Sequence, residues 1–247
     1  MQILDFEFDL ETVEECPVCE SVKIIPHYKT SHKDVLCNYW YCTNCTARFL
    51  IERMTEESQK KYYDRTYSEL TQHSGDEDQE IQTMRARNFS SILKSLGIKP
   101  KVHLDVGASV GILMEEFIKE FSCDSYGVEW GEDDRNIASA KGLHVTDTYP
   151  DIQFDIITMA HVLEHMNDPV RDLIKLGQLL NEDGCIMVEV PNAEANIHAY
   201  LLHHPIAYTA KSLEVLFERV GFDIEFGTLH SFPLKSPLSL HITLVIR

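Results

Sequence analysis

The run Val102-His103-Leu104-Asp105-Val106 opens directly into Gly107-Ala108-Ser109-Val110-Gly111. Ile112, Leu113, Phe117, Ile118 and Phe121 follow at the spacing of one helix face. A strand, a small-residue turn and a helix in immediate succession constrain the fold more than any composition does. Such a turn leaves helix-start amides open and lets a ligand approach the backbone closely. The segment reads as a nucleotide-cofactor cradle at the end of a first strand.

The chain beyond it supports a sheet around that cradle. Strands are predicted near 101–106, 124–129, 143–147, 153–160 and 184–190, with helices near 111–121, 132–141, 168–180 and 209–220. A further helix is predicted over 79–96, through Ile81, Met84, Phe89 and Ile92. Gly97, Gly142, Gly184 and Gly221 fall between a helix and the next strand, as C-cap glycines do. The apolar runs 222–229 and 239–246 have no helix between them and predict an antiparallel hairpin. The fold class is α/β: a Rossmann-like, mostly parallel sheet with helices on both faces and an antiparallel end.

With 247 residues the chain has room for one α/β domain plus a small appendage. Its 40 acids against 22 bases give a net charge of −18, and no run of Lys and Arg offers the basic face that phosphate backbones need. No apolar run reaches the length of a membrane span. Residues 1–15 carry Asp5, Glu7, Asp9, Glu11, Glu14 and Glu15 and no base, unlike a secretory leader. A cytoplasmic setting is expected, where thiols stay reduced.

Parallel sheets bind ligands beyond the carboxyl ends of their strands, where strand order reverses. The second predicted strand ends in Tyr126-Gly127-Val128-Glu129-Trp130, so a carboxylate is available to both hydroxyls of a ribose. A glycine loop with an acid about 20 residues on is also the dinucleotide fingerprint. The loop alone therefore leaves NAD and S-adenosylmethionine (SAM) both open. Three features favour SAM. Asp105 can face a cationic amino group but would repel a pyrophosphate. The loop lies in mid-chain behind a helical preamble. The closing hairpin would add an antiparallel strand to the sheet.

The 105–111 segment resembles motif I of class I SAM-dependent methyltransferases, in the Asp-x-Gly-x-Ser-x-Gly variant. Residues 154–169, from Phe154-Asp155-Ile156-Ile157 to Asn167-Asp168-Pro169, resemble the fourth-strand signature of that superfamily. Gly184 to Asn192 resembles its fifth strand, and Tyr208 to Phe222 its next helix and strand. The likeness covers roughly residues 80–247, with Ser109 standing where glycine is commonest. It implies that Asp105, Gly107, Ala108, Ser109 and Gly111 hold the methionine end. Glu129 would take the ribose, and Trp130 would flank the adenine. Asp147 or Thr148 would sit near the adenine amine, with Ala160 and His161 lining the cofactor from strand four. Arg87 is a further candidate partner for the methionine carboxylate.

Cys16-Pro17-Val18-Cys19 and Cys42-Thr43-Asn44-Cys45 are two C-x-x-C knuckles. Two thiolates of one turn reach a single ion, and two knuckles make the four-sulfur cage of structural zinc. The segment is too short to build its own core, so metal binding would supply its folding free energy. Cys37 has the wrong spacing to join, and Cys123 and Cys185 read as buried small hydrophobes. A closed cage leaves no open position for chemistry. Lys23, Lys29, Lys33, Arg48 and Arg53 face Glu20, Asp34, Glu52 and the −2 of a four-thiolate zinc, so the module is about neutral. That suits substrate capping or partner contact rather than a grip on nucleic acid.

The expected organisation is a zinc-ribbon-like module over 1–54, a helical linker or lid over 55–96 and a SAM-binding domain over 97–247. His161 and His165 sit four apart after strand four. His165 is the first candidate for general base, because imidazole titrates near neutrality. Related quinone O-methyltransferases carry a metal-holding Glu-x-x-Glu-His here. This chain reads His161-Val162-Leu163-Glu164-His165, and the missing first acid argues against a catalytic metal on that pattern. Tyr62, Tyr63 and Tyr67, with Asn192, His198, His203, His204 and Tyr208, offer aromatic walls and polar tips for a polyhydroxylated substrate. A cysteine module joined to this methyltransferase type resembles enzymes of sugar and surface-glycan modification. The expected activity is methyl transfer to a small polar acceptor, such as a hydroxyl of a sugar or nucleotide-sugar. The alternatives are a zinc-ribbon RNA methyltransferase, against which the net charge argues, and a non-catalytic SAM-binding or zinc-mediated adaptor.

Overall fold

The computed structural model describes residues 2–3, 6–32, 35–64, 76–231 and 240–247. The lid tyrosine Tyr67 lies outside them, as does most of the turn of the closing hairpin. In chain order the strands are β1 (Gln2–Ile3), β2 (Phe6–Glu7), β3 (Leu10–Thr12), β4 (Ile24–His32), β5 (Val35–Cys42), β6 (Arg48–Leu50) and β7 (Glu52–Met54). Helices α1 (Glu56–Tyr62) and α2 (Asp76–Ser95) come next. Then β8 (Val102–Val106), α3 (Ile112–Phe121), β9 (Asp124–Val128), α4 (Glu132–Ala140) and β10 (His144–Thr146) alternate. They lead to β11 (Phe154–Ala160), α5 (Pro169–Gly177) and β12 (Leu180–Pro191). The chain closes with β13 (Ile206–Ala207), α6 (Ala210–Val220), β14 (Ile224–Ser231) and β15 (Leu240–Ile246).

The chain forms two compact units, one from Lys61–Ala160 and Leu176–Met187, the other from Met1–Lys60, His161–Lys175 and Val188–Arg247. In the first unit the strand order is β10-β9-β8-β11-β12. β8 pairs in parallel with β9 and β11, and β9 with β10. The chain moves outward from β8 in one direction and then returns to β8's other side. The strand order therefore reverses beside β8, where such sheets take their ligands. Ala108, Met114, Ala138 and Val145, with Leu143 against them, form the core behind the glycine turn. Gly127 makes that packing possible. A Cβ there would lie 2.7 Å from Met114 Sδ and 2.8 Å from Ala108 Cβ.

In the second unit the end of β12 continues to β15 and β14, which pair antiparallel as the apolar runs predicted. The cysteine segment forms the sheet β13-β6-β5-β4, and β3 pairs with β7. β13 aligns Ile206 with Phe49, so the module closes on a segment far along the chain. Tyr39 adds to this: its hydroxyl donates to the carbonyls of Leu201 (2.8 Å) and His204 (2.7 Å).

One predicted boundary is corrected. Gly184 is not a helix cap but lies inside β12, because α5 stops at Gly177 and the strand starts early. Asn181 donates to Asp155 at 2.7 Å and pins that early start, and a Cβ at Gly184 would lie 2.9 Å from the Phe154 carbonyl. Among the described residues no helix is long and apolar enough to cross a membrane.

Candidate active site

The glycine turn is stitched to the neighbouring strand. The amides of Gly107 and Ala108 donate to the Val128 carbonyl at 2.8 and 3.1 Å. The Ser109 amide donates to Glu129 Oε2 at 2.8 Å, and the Gly131 amide donates to Oε1 at 2.7 Å. The amides of 107–109 thus bind β9 and its terminal acid, and the open amides expected from the sequence are those of the helix start beyond them. Helix α3 then starts at Gly111 without a side-chain cap, with φ of 85°. A Cβ at Gly111 would run into Leu143 Cδ1 unless that side chain moved, and the left-handed φ favours glycine there.

Glu129 is thus held between two backbone amides, with lone pairs left over for further donors. Burial raises its pKa, against the pull of those amides. Arg135 donates to the carbonyls of Glu129 (2.7 Å) and Trp130 (3.0 Å) and fixes the chain beyond the acid. The Trp130 ring is 44% exposed, which leaves it open to stacking, and its centroid lies 6.5 Å from that of Tyr63. Ser109 has φ of 47°, and its hydroxyl donates to Asp134 at 2.8 Å. Asp147 and Thr148 are exposed just after β10, and Ala160 ends β11. Arg87 is exposed on α2.

Asp105 is buried at the end of β8, and its Oδ1 accepts from the Thr158 hydroxyl at 2.7 Å. The hydroxyl, having given its proton to Asp105, accepts from His103 Nε2 at 2.8 Å. That fixes the imidazole tautomer, so His103 Nδ1 accepts from Ser125 at 2.9 Å. Burial depresses the His103 pKa to about 3 and keeps the ring neutral. Burial also raises Asp105 to about 7, with the Thr158 hydrogen bond opposing and Glu129 adding repulsion. None of His103, Ser125 and Thr158 stood out in the sequence. Their signal was polar residues in otherwise apolar strand runs, which register alone brings together: His103 is opposite Ser125, and Thr158 is opposite Asp105.

The second unit holds two imidazole clusters. His165 is the last residue of a single 3₁₀ turn, Leu163–His165, and its Nδ1 donates to the His203 carbonyl at 2.8 Å. A carbonyl only accepts, so Nδ1 carries the proton and Nε2 is the basic nitrogen of the neutral ring. Burial lowers its pKa, against Glu164. The His165 and His203 rings stack at 5.5 Å, and His204 stands edge-on to His165 at 4.6 Å. His161 sits in the left-handed region at φ of 58°. Its Nε2 is 3.0 Å from His241 Nδ1 and 3.4 Å from Glu189 Oε1.

Cys16, Cys19, Cys42 and Cys45 converge, with all four sulfurs within 4.8 Å of one another. Both knuckles share one backbone pattern. Glu20 and Thr46, at φ of 55° and 67°, donate back to the carbonyls of Cys16 (2.8 Å) and Cys42 (2.9 Å). Cys16 and Cys45 sulfurs are 3.5 Å apart, and those of Cys19 and Cys42 are 3.6 Å apart. Sulfurs about 2.3 Å from one tetrahedral ion lie roughly 3.7 Å apart, so the donor set fits zinc. The Asn44 side chain donates to the Cys19 sulfur at 3.4 Å. Cys37 lies apart, against the Val35 carbonyl, and Cys123 and Cys185 are buried in the other unit.

A parallel sheet with a glycine turn and two strand-end acids at its switch point defines a Rossmann-like cofactor-binding α/β enzyme. The chain belongs to the methyltransferase-domain family, whose profile matches residues 79–225. It is a methyltransferase, with the fold of SAM-dependent members of that class. The magnesium protoporphyrin IX methyltransferase of Synechocystis, with bound S-adenosylhomocysteine, superposes with a TM-score of 0.62 at 13% identity over 78% of this chain and 99% of that one. A SAM-dependent methyltransferase of Leishmania major gives 0.59 at 15% identity, over 77% and 82%. A Nostoc punctiforme protein assigned as an O-methyltransferase gives 0.50 at 20% identity, over 67% of this chain and 56% of that one. This chain thus spans little more than half the length of the Nostoc protein. No curated protein sequence matches it significantly.

Proposed function

We propose that the protein methylates a hydroxyl of a small polar acceptor, of the sugar or nucleotide-sugar class, with SAM as donor. The observation that carries the cofactor half is the buried Asp105 carboxyl, presented beside the glycine turn and oriented by Thr158 and His103. Asp105 is assigned the cofactor's amino group and the 107–111 turn its methionine end. Glu129 takes the ribose, Trp130 the adenine face, and Asp147 or Thr148 the adenine amine, while Ala160 and His161 line the donor. When bound, SAM supplies a methyl group already activated on a sulfonium. The chain's own task is to align an acceptor oxygen and take its proton. His165 suits that task, because its neutral tautomer presents a basic Nε2. Of the polar residues expected to meet a hydroxylated acceptor, His198 is exposed, whereas Tyr62, Asn192, His203, His204 and Tyr208 are buried, so the acceptor class is supported by the sequence resemblance.

The four-cysteine cage is assigned structural zinc, and the functional division follows: module 1–54, linker or lid 55–96, catalytic domain 97–247.

Two outcomes test this reading. His165→Ala is expected to lower turnover by about 10²- to 10⁴-fold while cofactor affinity is kept; unchanged turnover removes His165 as base. The assay is S-adenosylhomocysteine release across a panel of sugars and nucleotide-sugars. A protein that binds SAM and releases no product with any of them overturns the acceptor class. Asp105 sets the pH dependence of binding. Its carboxyl is protonated below about pH 7 in the ligand-free protein, and an ammonium partner needs the carboxylate. Affinity should therefore rise with pH, by at most about tenfold per unit, and level off above 7. A flat profile between pH 5 and 8 by calorimetry, or persistence of the slope in Asp105→Asn, contradicts this role.

A further inference from the structure

We propose that His161, Glu189 and His241 form a second metal site, a two-histidine, one-carboxylate set for a divalent first-row transition metal. Their donor atoms all lie within 4.8 Å of one another. His161 Nε2 is 3.0 Å from His241 Nδ1 and 3.4 Å from Glu189 Oε1. Donors about 2.1 Å from one ion, at angles between 90° and tetrahedral, lie roughly 3.0 to 3.4 Å apart. Both separations fall in that range.

The surroundings match what metal-bound side chains require. A ligating imidazole gives its second N–H to a carboxylate or carbonyl, which fixes its tautomer. Here His161 Nδ1 lies 3.1 Å from Oε1 of Glu164, whose side chain is 2% exposed. Ligating carboxylates are themselves braced. Glu189 is fully buried, and its second oxygen, Oε2, meets His230 Nε2 at 3.1 Å and the Thr243 hydroxyl at 3.2 Å. Among the described residues, imidazoles lie against both buried carboxylates. A divalent ion there lets His161 Nε2 and His241 Nδ1 both act as lone-pair donors. Without it, the 3.0 Å separation demands a proton between them.

The fold builds this arrangement from four separate elements. Glu189 is on β12, and His161 follows β11 with its amide donating to the Glu189 carbonyl at 2.8 Å. His241 and Thr243 alternate onto one face of β15, and register sets His230 of β14 opposite His241. The set takes one residue from the 161–165 segment and two from strands, so the missing acid at 161 does not bear on it. Imidazole and carboxylate select zinc, iron, cobalt or manganese, and three protein ligands leave positions open for an oxygen ligand. His161 is then a metal ligand, and His165 remains the base.

The test uses the full chain with its cysteine cage filled by zinc. Cobalt(II) is added, excess is removed by desalting, and retained metal is counted. One cobalt per chain is expected, with weak visible bands and no thiolate-to-cobalt charge-transfer band, since the site holds no sulfur. His241→Ala and Glu189→Gln should lose that cobalt and keep the zinc. His230→Ala should keep the stoichiometry and weaken affinity by about 10- to 100-fold. No retained cobalt in the wild type overturns the site, as does full retention in both ligand variants. Should those variants misfold, X-ray absorption on the wild type decides: a shell of two imidazoles and carboxylate oxygen near about 2.1 Å supports the site, and a three-imidazole shell, as His165, His203 and His204 would give, or a sulfur shell overturns it. SAM binding measured on the same sample tests the cofactor reading independently.

Discussion

Cys45→Ser will empty the four-cysteine cage and unfold the strands built around it. The sheet β13-β6-β5-β4 buries Tyr39, Phe49, Leu50 and Ile206 as its large side chains, a small apolar core for four strands. In small zinc modules metal binding is folding free energy, about 10–16 kcal/mol in isolated peptides. The damage will not stop at the module. Arg219 of α6 donates to the Val18 carbonyl at 3.0 Å and pairs with Glu20, both in the first knuckle. Thr46 of the second knuckle shares a 2.6 Å hydroxyl contact with Thr209, the N-cap of α6. Losing the cage therefore frees the start of α6 and the 201–209 segment. We expect one tightly held zinc per chain in protein purified without chelator, none in Cys45→Ser, and a melting temperature lower by roughly 10 °C or more. Cys37→Ser is the control: it leaves the metal in place. Zinc-free wild-type protein of undiminished stability would refute the cage.

The fold was legible where its signals are local. The strand–helix alternation after residue 101, the closing hairpin and the paired knuckles each depend on spacing within a few residues, and each is found. Gly184 misled because a glycine after a helical pattern looks like a cap, whereas β12 had already begun at Leu180. The polar chain Ser125–His103–Thr158–Asp105 was hidden for another reason. Its members are far apart in sequence, and only the parallel register of β8, β9 and β11 makes them neighbours. The same holds for His161, Glu189, His230 and His241. Glu189 lies in an apolar run, and nothing near it in sequence signals that two imidazoles will meet it. The sequence also divides linearly at the cysteine module, whereas the compact unit containing that module includes residues beyond 188. Pairs such as Arg48↔Ala207 are long-range and leave no periodic trace.

Gly107→Arg will abolish cofactor binding and spare the fold. Gly107 has φ of 73°, so any side chain there carries left-handed strain of about 1–2 kcal/mol. The residue is exposed, which gives an arginine room without disturbing the core. Its amide still reaches the Val128 carbonyl, so β8 and β9 stay joined. What changes is the mouth of the turn. A long cation would stand two residues from Asp105, the carboxyl assigned to the cofactor's ammonium, and would compete for it. Affinity should fall by roughly 100-fold or more, close to 3 kcal/mol, while the circular dichroism spectrum stays that of the wild type.

Calorimetric titration of the wild type and Gly107→Arg with SAM, at pH 7.5 and with zinc in place, tests this most directly. The wild type should show one site per chain of micromolar-range affinity, and the variant no measurable heat. A wild type that gives no heat, or a folded variant that binds as well as the wild type, would contradict it.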